Sequence, residues 1–381
     1  MFGFSVRIER CQPASTTLSI VIILSAMTIG LFSAAALFVF KGFSPLTIVS
    51  KILTGAFGSR FAWMETIAKA VPLGLVGIGL AVAFRGKFWN IGAEGQILLG
   101  AVAASGIALF AAPHLPDKAV LPMMLTAGFA AGAIWGVIPA LLRTRFGVNE
   151  VVSTLMMNYV AAELVQYLVY GPWKGASQMG FPYSDEFVSS AVLPTFYGTR
   201  VAWPMLVIVI VAAFVTWFLI TCTRWGFETR VIGENPEAAR YAGISHARVT
   251  IILMIISGGL AGLAGVGEVS CIHQHLTTSA AISSGYGNTG IIVAMLGRLH
   301  PIGVLPAAIF LGGLLVGGDV LQTSFGMPFA SVNLFTAVIL LLLITGDVFL
   351  DHRFRIRRDC PASSTAVIAP SDSTCGGKMR N

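Results

Sequence analysis

The sequence predicts an all-α, polytopic membrane protein of about ten transmembrane helices, one of them broken or re-entrant. Three observations predict it. The 381-residue chain is 56% hydrophobic and 11% charged, with a mean hydropathy of +0.82, whereas soluble domains carry roughly 25% charged residues. Apolar runs of about 18 residues or more, each long enough to cross a bilayer, recur along the chain. Connecting segments alternate between rich and poor in Lys and Arg, as membrane topology requires.

In order, the predicted spans are 18–40, 66–84, 91–112, 119–142, 148–170, 201–222, 249–268, 276–296, 304–321 and 332–350. The first resembles a secretory signal at Ala34–Ala36, but its apolar run is too long for a signal core, so it reads as an uncleaved helix. In the eighth, only 287–296 is strongly apolar, and the preceding LTTSAAISSGYGN is rich in Ser, Thr and Gly. Such a segment suits a broken helix beside a wet cavity, where irregular backbone is tolerated. Residues 1–17 and 351–381 flank the membrane domain, 18–350, and the Ser-, Pro-, Gly- and Thr-rich tail reads as basic and disordered.

Charge fixes the orientation. With a cytoplasmic amino terminus, the inner segments hold Arg7, Arg10, Arg85, Lys87, Arg143, Arg145, Arg224, Arg230, Arg240, Arg248 and Arg298, and the tail adds six more. The outer side keeps Lys41, Lys51, Arg60, Lys69, Lys118, Lys174 and Arg200. Both termini therefore fall in the cytoplasm of a multi-pass inner (plasma) membrane protein. The net charge of +7 follows from topology and contact with anionic lipid, and needs no nucleic acid. The five cysteines show no CxxC spacing and predict no disulfide. Gly128, Gly132 and Gly136 share a helix face, as do Gly258 with Gly262 and Gly313 with Gly317. Small residues at this spacing let helix backbones approach closely in lipid.

Several function classes are excluded by missing motifs. There is no GxxxxGK[ST] phosphate loop, HExxH or GxSxG. Cys271, His273 and His275 alternate and would meet one metal only if extended; a polar loop at the outer surface is the commoner explanation, and no metal site is assigned. No catalytic residues are assigned, and the chain reads as a conduit rather than an enzyme.

The stretch FWNIGAEGQILLG, 88–100, sets Asn90, Glu94 and Gln96 at the head of an apolar run. A carboxylate inside a span costs about 2.5–3.5 kcal/mol on insertion scales, so it faces protein or water. Two readings stay open. These groups line a solute pathway, or Glu94 caps exposed N–H groups at a broken helix; the capping role suits Glu94 and pathway lining suits Asn90 and Gln96. Asn158 lies mid-span with Glu163 and Gln166, and Asn288 and Thr289 sit where the Gly-rich segment turns apolar, a place for a solute-facing turn. Asn149, Glu150 and Ser153 read as a capped helix start, and Asp319 and Gln322 as solvated. Trp173 and Trp203 flank the longest outer loop, 171–200, as an interfacial belt.

The longest internal cytoplasmic loop, 223–248, has the grammar of a short helix. Asn235 is a good N-cap, Pro236 suits the first position and Glu237 the positive dipole end. Ala238, Ala239 and Tyr241 continue the turn, Gly243 suits the left-handed stop, and Ser245 caps the next helix. A compact surface helix of this kind is either a mechanical handle or a helix without a partner.

These residues carry a resemblance. GENPEAARYAGI, at 233–244, resembles the coupling loop of ABC-importer permeases of the branched-chain amino acid, ribose, simple-sugar and nucleoside family. NIGAEGQILLGA at 90–101, LMMNYVAAELVQYLVYGPWK at 155–174 and GYGNTGIIVAMLGRLHPIGVLPAA at 285–308 agree, nearest the simple-sugar and purine-nucleoside branch. The likeness covers roughly 66–350; Asn288 stands where an aromatic is expected, and the CIHQH stretch and the tail lie outside the pattern. The resemblance implies a permease subunit that forms the pathway for a nucleoside or simple sugar. Its implied partners are a second permease chain, same or paralogous, ABC ATPase subunits that hold ATP and Mg, and an external solute-binding protein, for which 171–200, as the longest external loop, is the candidate docking surface. By that likeness Gly233, Glu234, Asn235, Pro236, Glu237, Ala238, Ala239 and Gly243 dock the ATPase. An ion-coupled secondary transporter is the rival; it needs ionisable residues at mid-membrane, and the in-span acids here are few and near helix ends.

Overall fold

The structure is a computed structural model that describes residues 4–10, 44–176, 178, 180–326 and 352–358, with scattered positions among 25–42 and 334–345. Twelve α-helices run through the central part: α1 Pro45–Phe57, α2 Arg60–Arg85, α3 Ala93–Gly106, α4 Asp117–Phe146, α5 Glu150–Tyr170, α6 Trp203–Cys222, α7 Arg224–Glu234, α8 Pro236–Tyr241, α9 His246–Gly267, α10 Ser279–Ser283, α11 Tyr286–Leu296 and α12 Pro301–Phe325. Among the described residues six helical segments are long and apolar enough to cross a membrane: α2, α3 extended to His114, α4, α6, α9 extended to His273, and α12. The remaining predicted crossings are accounted for differently. The fifth is α5, which carries Glu150, Asn158, Glu163 and Gln166. The eighth is broken into α10 and α11 by Ser284 and Gly285, both left-handed, with φ of 44° and 77°. The first and tenth lie largely outside the described residues.

Two spans end in π-helical turns, the second of which runs past the expected span end. A π-helical turn, Ile107–Ala111, continues α3, and another, Glu268–His273, continues α9. Glu268, expected at a helix end, therefore lies within a helical segment and is 7% exposed. The winding also removes the extended geometry that would align Cys271, His273 and His275. Cys271 Sγ donates to Arg200 O (3.3 Å), and His273 Nε2 contacts Ala281 O (3.2 Å).

Helix α1 is an element that composition did not disclose. Ser44 caps it by accepting from Thr47 N, and Pro45 opens it. It is too short to span. Its buried side, Ile48, Val49, Ile52 and Ala56, packs on α12 and α2. Gly317 receives Ile52, and Gly313 receives Phe57, so that glycine pair serves this helix.

The centre is a stack of close backbones. α9 packs against α4, α3 and α2, while α2 also packs on α12 and α11. A Cβ on Gly132 would lie 2.2 Å from Gly258 O, one on Gly262 2.2 Å from Gly128 O, and one on Gly100 2.2 Å from Gly262 O. The spacing of glycines in α4 and α9 thus marks their mutual contact. α2 is buried almost continuously from Leu73 to Phe84. By contrast α6 exposes Val207, Ile210, Val211, Phe214, Val215 and Phe218, an apolar face suited to a membrane interior.

Strand β1, Phe4–Arg10, pairs antiparallel with β2, His352–Arg358, from Phe4 opposite Arg358 to Arg10 opposite His352. This two-stranded ribbon accompanies an otherwise all-α architecture. The alternation in HRFRIRR is a period-two pattern, which suits a strand. Residues 359–381 lie outside the described set.

Candidate functional site

Residues 88–92 form an irregular turn that leads into α3, and the polar groups of the turn and of the first turn of α3 satisfy one another. Asn90 is fully buried and Gln96 is 1% exposed. Asn90 Nδ2 donates to Gln96 Oε1 (3.1 Å) and Ser257 Oγ (3.0 Å), and Asn90 Oδ1 accepts from Gly92 N (2.9 Å). Asn158 braces the same turn from α5: its Oδ1 accepts from Gly95 N and its Nδ2 donates to Ile91 O, each at 2.8 Å. Thr154 Oγ1 accepts from Ile91 N at 3.2 Å. Buried amides and hydroxyls in this arrangement pair off the N–H groups that a helix start leaves free. A Cβ on Gly95 would lie 3.0 Å from Trp135 Nε1 and 3.1 Å from Met157 O, so α4 and α5 approach the turn closely there.

Glu94 does something different. Its Oε2 accepts from Gly287 N at 2.7 Å, in the first turn of α11, where no side chain of that helix serves as a cap. A Cβ on Gly287 would fall 2.4 Å from both Glu94 N and Oε2. The carboxylate of one helix thus caps the second half of the broken one, at the positive end of its dipole. In this conformation the side chains of Asn90, Glu94 and Gln96 all hold hydrogen bonds within the protein. The sequence missed Thr154 and Ser257, because Ser and Thr are ordinary inside spans and nothing in their spacing marks them.

Beside this bond lies a cleft of about 260 Å³ lined by Glu94, Asn158, Tyr159, Ser279, Ser283 and Asn288, with apolar side chains between them. It brings together three of the six residues singled out as pathway candidates. Asn90 and Gln96 are buried behind it, and Thr289, half-buried, does not line it. Tyr159 is 63% exposed.

Other polar residues resolve individually. Asn149 caps α5, accepting from Val151 N and Val152 N, and Glu150 pairs with Arg143 at 3.3 Å. Asp319 pairs with Lys69. Trp173 packs edge-on against Phe110. The connection after α5 is tied to the segment after α9: Ser184 N donates to Leu276 O and Ser184 Oγ accepts from Leu276 N, both at 2.9 Å. Phe187 N donates to Gln274 O and Leu193 N to Ser270 O. His275, in that segment, has its pKa lowered by burial, an effect the Glu186 carboxylate opposes.

At the other end, the loop between α6 and α9 folds as its capping residues require. Asn235 Oδ1 accepts from Glu237 N (3.0 Å) and Ala238 N (3.1 Å), Gly243 is left-handed (φ 75°), and Ser245 Oγ accepts from Arg248 N. Gly233 and Glu234 belong to α7, an additional helix. A Cβ on Gly233 would sit 2.2 Å from Arg85 O, so α7 lies directly on the end of α2. Ala239 is 2% exposed and packs with Val82, Ile220, Ile232, Val249 and Leu253, whereas Glu237 and Arg240 are exposed and Tyr241 is 93% exposed. Asn235→Ala removes both cap bonds, and unfolding of α8 becomes easier by about 1 kcal/mol, read as faster amide exchange at Glu237 and Ala238.

Comparison with known proteins places this architecture. Residues 62–345 match the family described as branched-chain amino acid transport system / permease component. The glucose ABC transporter permease protein TsgB13 of Haloferax volcanii is 35% identical over 94% of this chain and 93% of its own length. The guanosine ABC transporter permease protein NupP of Bacillus subtilis is 34% identical over 84% and 91%. The nucleoside ABC transporter permease protein NupB of Lactococcus lactis is 30% identical over 86% and 91%. A chain that matches the family over most of its length, with relatives covered nearly end to end, belongs to the branched-chain amino acid transport system permease component family.

Proposed function

We propose that this ABC permease is one of two membrane-spanning subunits of an ATP-driven importer, and that it passes a nucleoside or a simple sugar. The guanosine, nucleoside and glucose permeases among its relatives support that substrate class. The observation that carries the coupling reading is α8: its outward side is bare, while its inward side is fixed to α2, α6 and α9 through Ala239 and the adjoining Gly233. A helix gripped from outside and packed on three spans transmits displacement to all of them. The ATPase subunit, carrying ATP and Mg, grips it through Glu237, Arg240 and Tyr241, and nucleotide binding shifts the spans between two states by its differential affinity for them.

The solute faces Glu94, Asn158 and Asn288 in the cleft, with Tyr159 as an exposed ring for a base or sugar face. Asn90 and Gln96 hold the turn that aims them. The external binding protein docks on 171–200. Both termini lie in the cytoplasm, a reading supported by the pairing of β1 with β2, which sets the two ends side by side.

The test uses exposed residues, since Ala239 is part of the packing. In vesicles holding the assembled transporter, Tyr241→Ala with Glu237→Arg loses about 2 kcal/mol of docking energy, roughly thirtyfold in affinity. Uptake of labelled guanosine or glucose and stimulated ATPase activity fall together at normal permease abundance. Retention of both activities refutes the coupling role.

A further inference from the structure

A second cleft, of about 490 Å³, opens where α6 ends, α7 begins and α9 enters the membrane. Its mouth carries Arg224, Glu228 and Arg248, and its wall continues along α9 through Ile252 and Ile256. From Arg248 to Ile256 is eight residues of helix, about 12 Å of depth, the distance from a headgroup into the first part of an acyl chain. Charge is unbalanced there. Arg224 shares Glu228 (3.1 Å) but its side chain is 91% exposed. The guanidinium of Arg248 makes no ion pair among the described residues. Two cations and one carboxylate leave a net positive mouth. Trp225 also lines the cleft, and its Nε1, a buried donor, has no hydrogen-bond partner among the described residues.

We propose that this cleft binds an anionic phospholipid, its phosphate held between Arg224 and Arg248 and its acyl chain laid along Ile252 and Ile256. Basic pockets between spans at a membrane surface take such headgroups. The cation pair recognises the phosphate. The apolar wall distinguishes a lipid from a free phosphate ion, and the net charge distinguishes an anionic from a zwitterionic headgroup.

The assembled transporter, purified in detergent, is titrated with dioctanoyl phosphatidylglycerol, dioctanoyl phosphatidylcholine or inorganic phosphate, and bound molecules are counted by native mass spectrometry. Phosphatidylglycerol is retained at concentrations where the other two are not. Arg248→Gln weakens its binding roughly fivefold, the effect of one basic residue at an anionic surface. Ile252→Trp, which fills the cleft without changing charge, weakens it as well, and Arg145→Gln, away from the cleft, leaves it unchanged. Equal retention of phosphatidylcholine, saturation by inorganic phosphate alone, or indifference to both cleft variants overturns the proposal. Transport activity is not read, so the outcome is independent of the coupling reading.

Discussion

Gly262→Leu yields no folded protein, and Gly262→Ala lowers stability by about 3 kcal/mol, the upper end of ordinary overpacking costs. The reason is what surrounds the position. A Cβ there meets Gly128 O at 2.2 Å and Gly132 Cα at 3.1 Å, both backbone atoms of α4. On its other side, the carbonyl oxygen of Gly262 already lies 2.2 Å from where a Cβ on Gly100 would be. No rotamer change relieves contacts with a main chain, so α9 must separate from α4, and the dispersion contacts along the whole interface loosen with it. A matched control exists five residues on: Gly267→Ala places its Cβ 3.1 Å from Met205 Cε, the flexible end of a side chain that can turn away. Thermal challenge followed by size-exclusion chromatography separates the two. Gly262→Ala aggregates well below the wild-type midpoint and Gly267→Ala stays near it; equal behaviour refutes this packing.

That contact was legible in the sequence because four-residue glycine spacing has one dominant use in lipid. The capped helix α8 was legible for a similar reason, since Asn235, Pro236 and Gly243 each have a strong positional meaning. What escaped was tertiary. Helix α1 is too short for a span and too apolar for an ordinary loop, and its packing is fixed by distant partners, among them Gly313 and Gly317 of α12. Gly233 and Glu234 read as loop because glycine weakens a helix, yet Gly233 is helical so that α7 can reach Arg85 O. The amides Asn90 and Gln96 suited pathway lining from their place in the sequence, and what could not be read there was Ser257, 167 residues from Asn90, whose hydroxyl accepts from the Asn90 amide in this conformation. Glu268 escaped because a π turn prolongs α9, and periodicity does not reveal such a turn.

Glu94→Ala should open the first turn of α11 more often, by about 2 kcal/mol or roughly thirtyfold, the cost of losing a hydrogen bond to a charged group. Gly287 N has Glu94 Oε2 as its acceptor, and α11 follows a left-handed break at Ser284 and Gly285 that supplies no side-chain cap of its own. Glu94→Gln keeps an oxygen within reach and recovers part of the loss, though not the attraction of a carboxylate to the helix dipole. Hydrogen exchange over 284–296 measures the anchoring, and solute uptake by the assembled importer measures its consequence. The two readouts separate the roles that one carboxylate can play at the edge of a cleft. If Glu94 holds the half-helix, exchange and uptake change together in Ala, and Gln lies between Ala and wild type in both. If it touches only the solute, uptake falls while exchange over 284–296 stays at the wild-type rate, and the anchor is refuted. The anchor is the stronger expectation because the close approach of Gly287 to the backbone of Glu94 fixes the two helices there. Any motion that widens the cleft between α3, α5 and α11 must then carry this bond with it or break it.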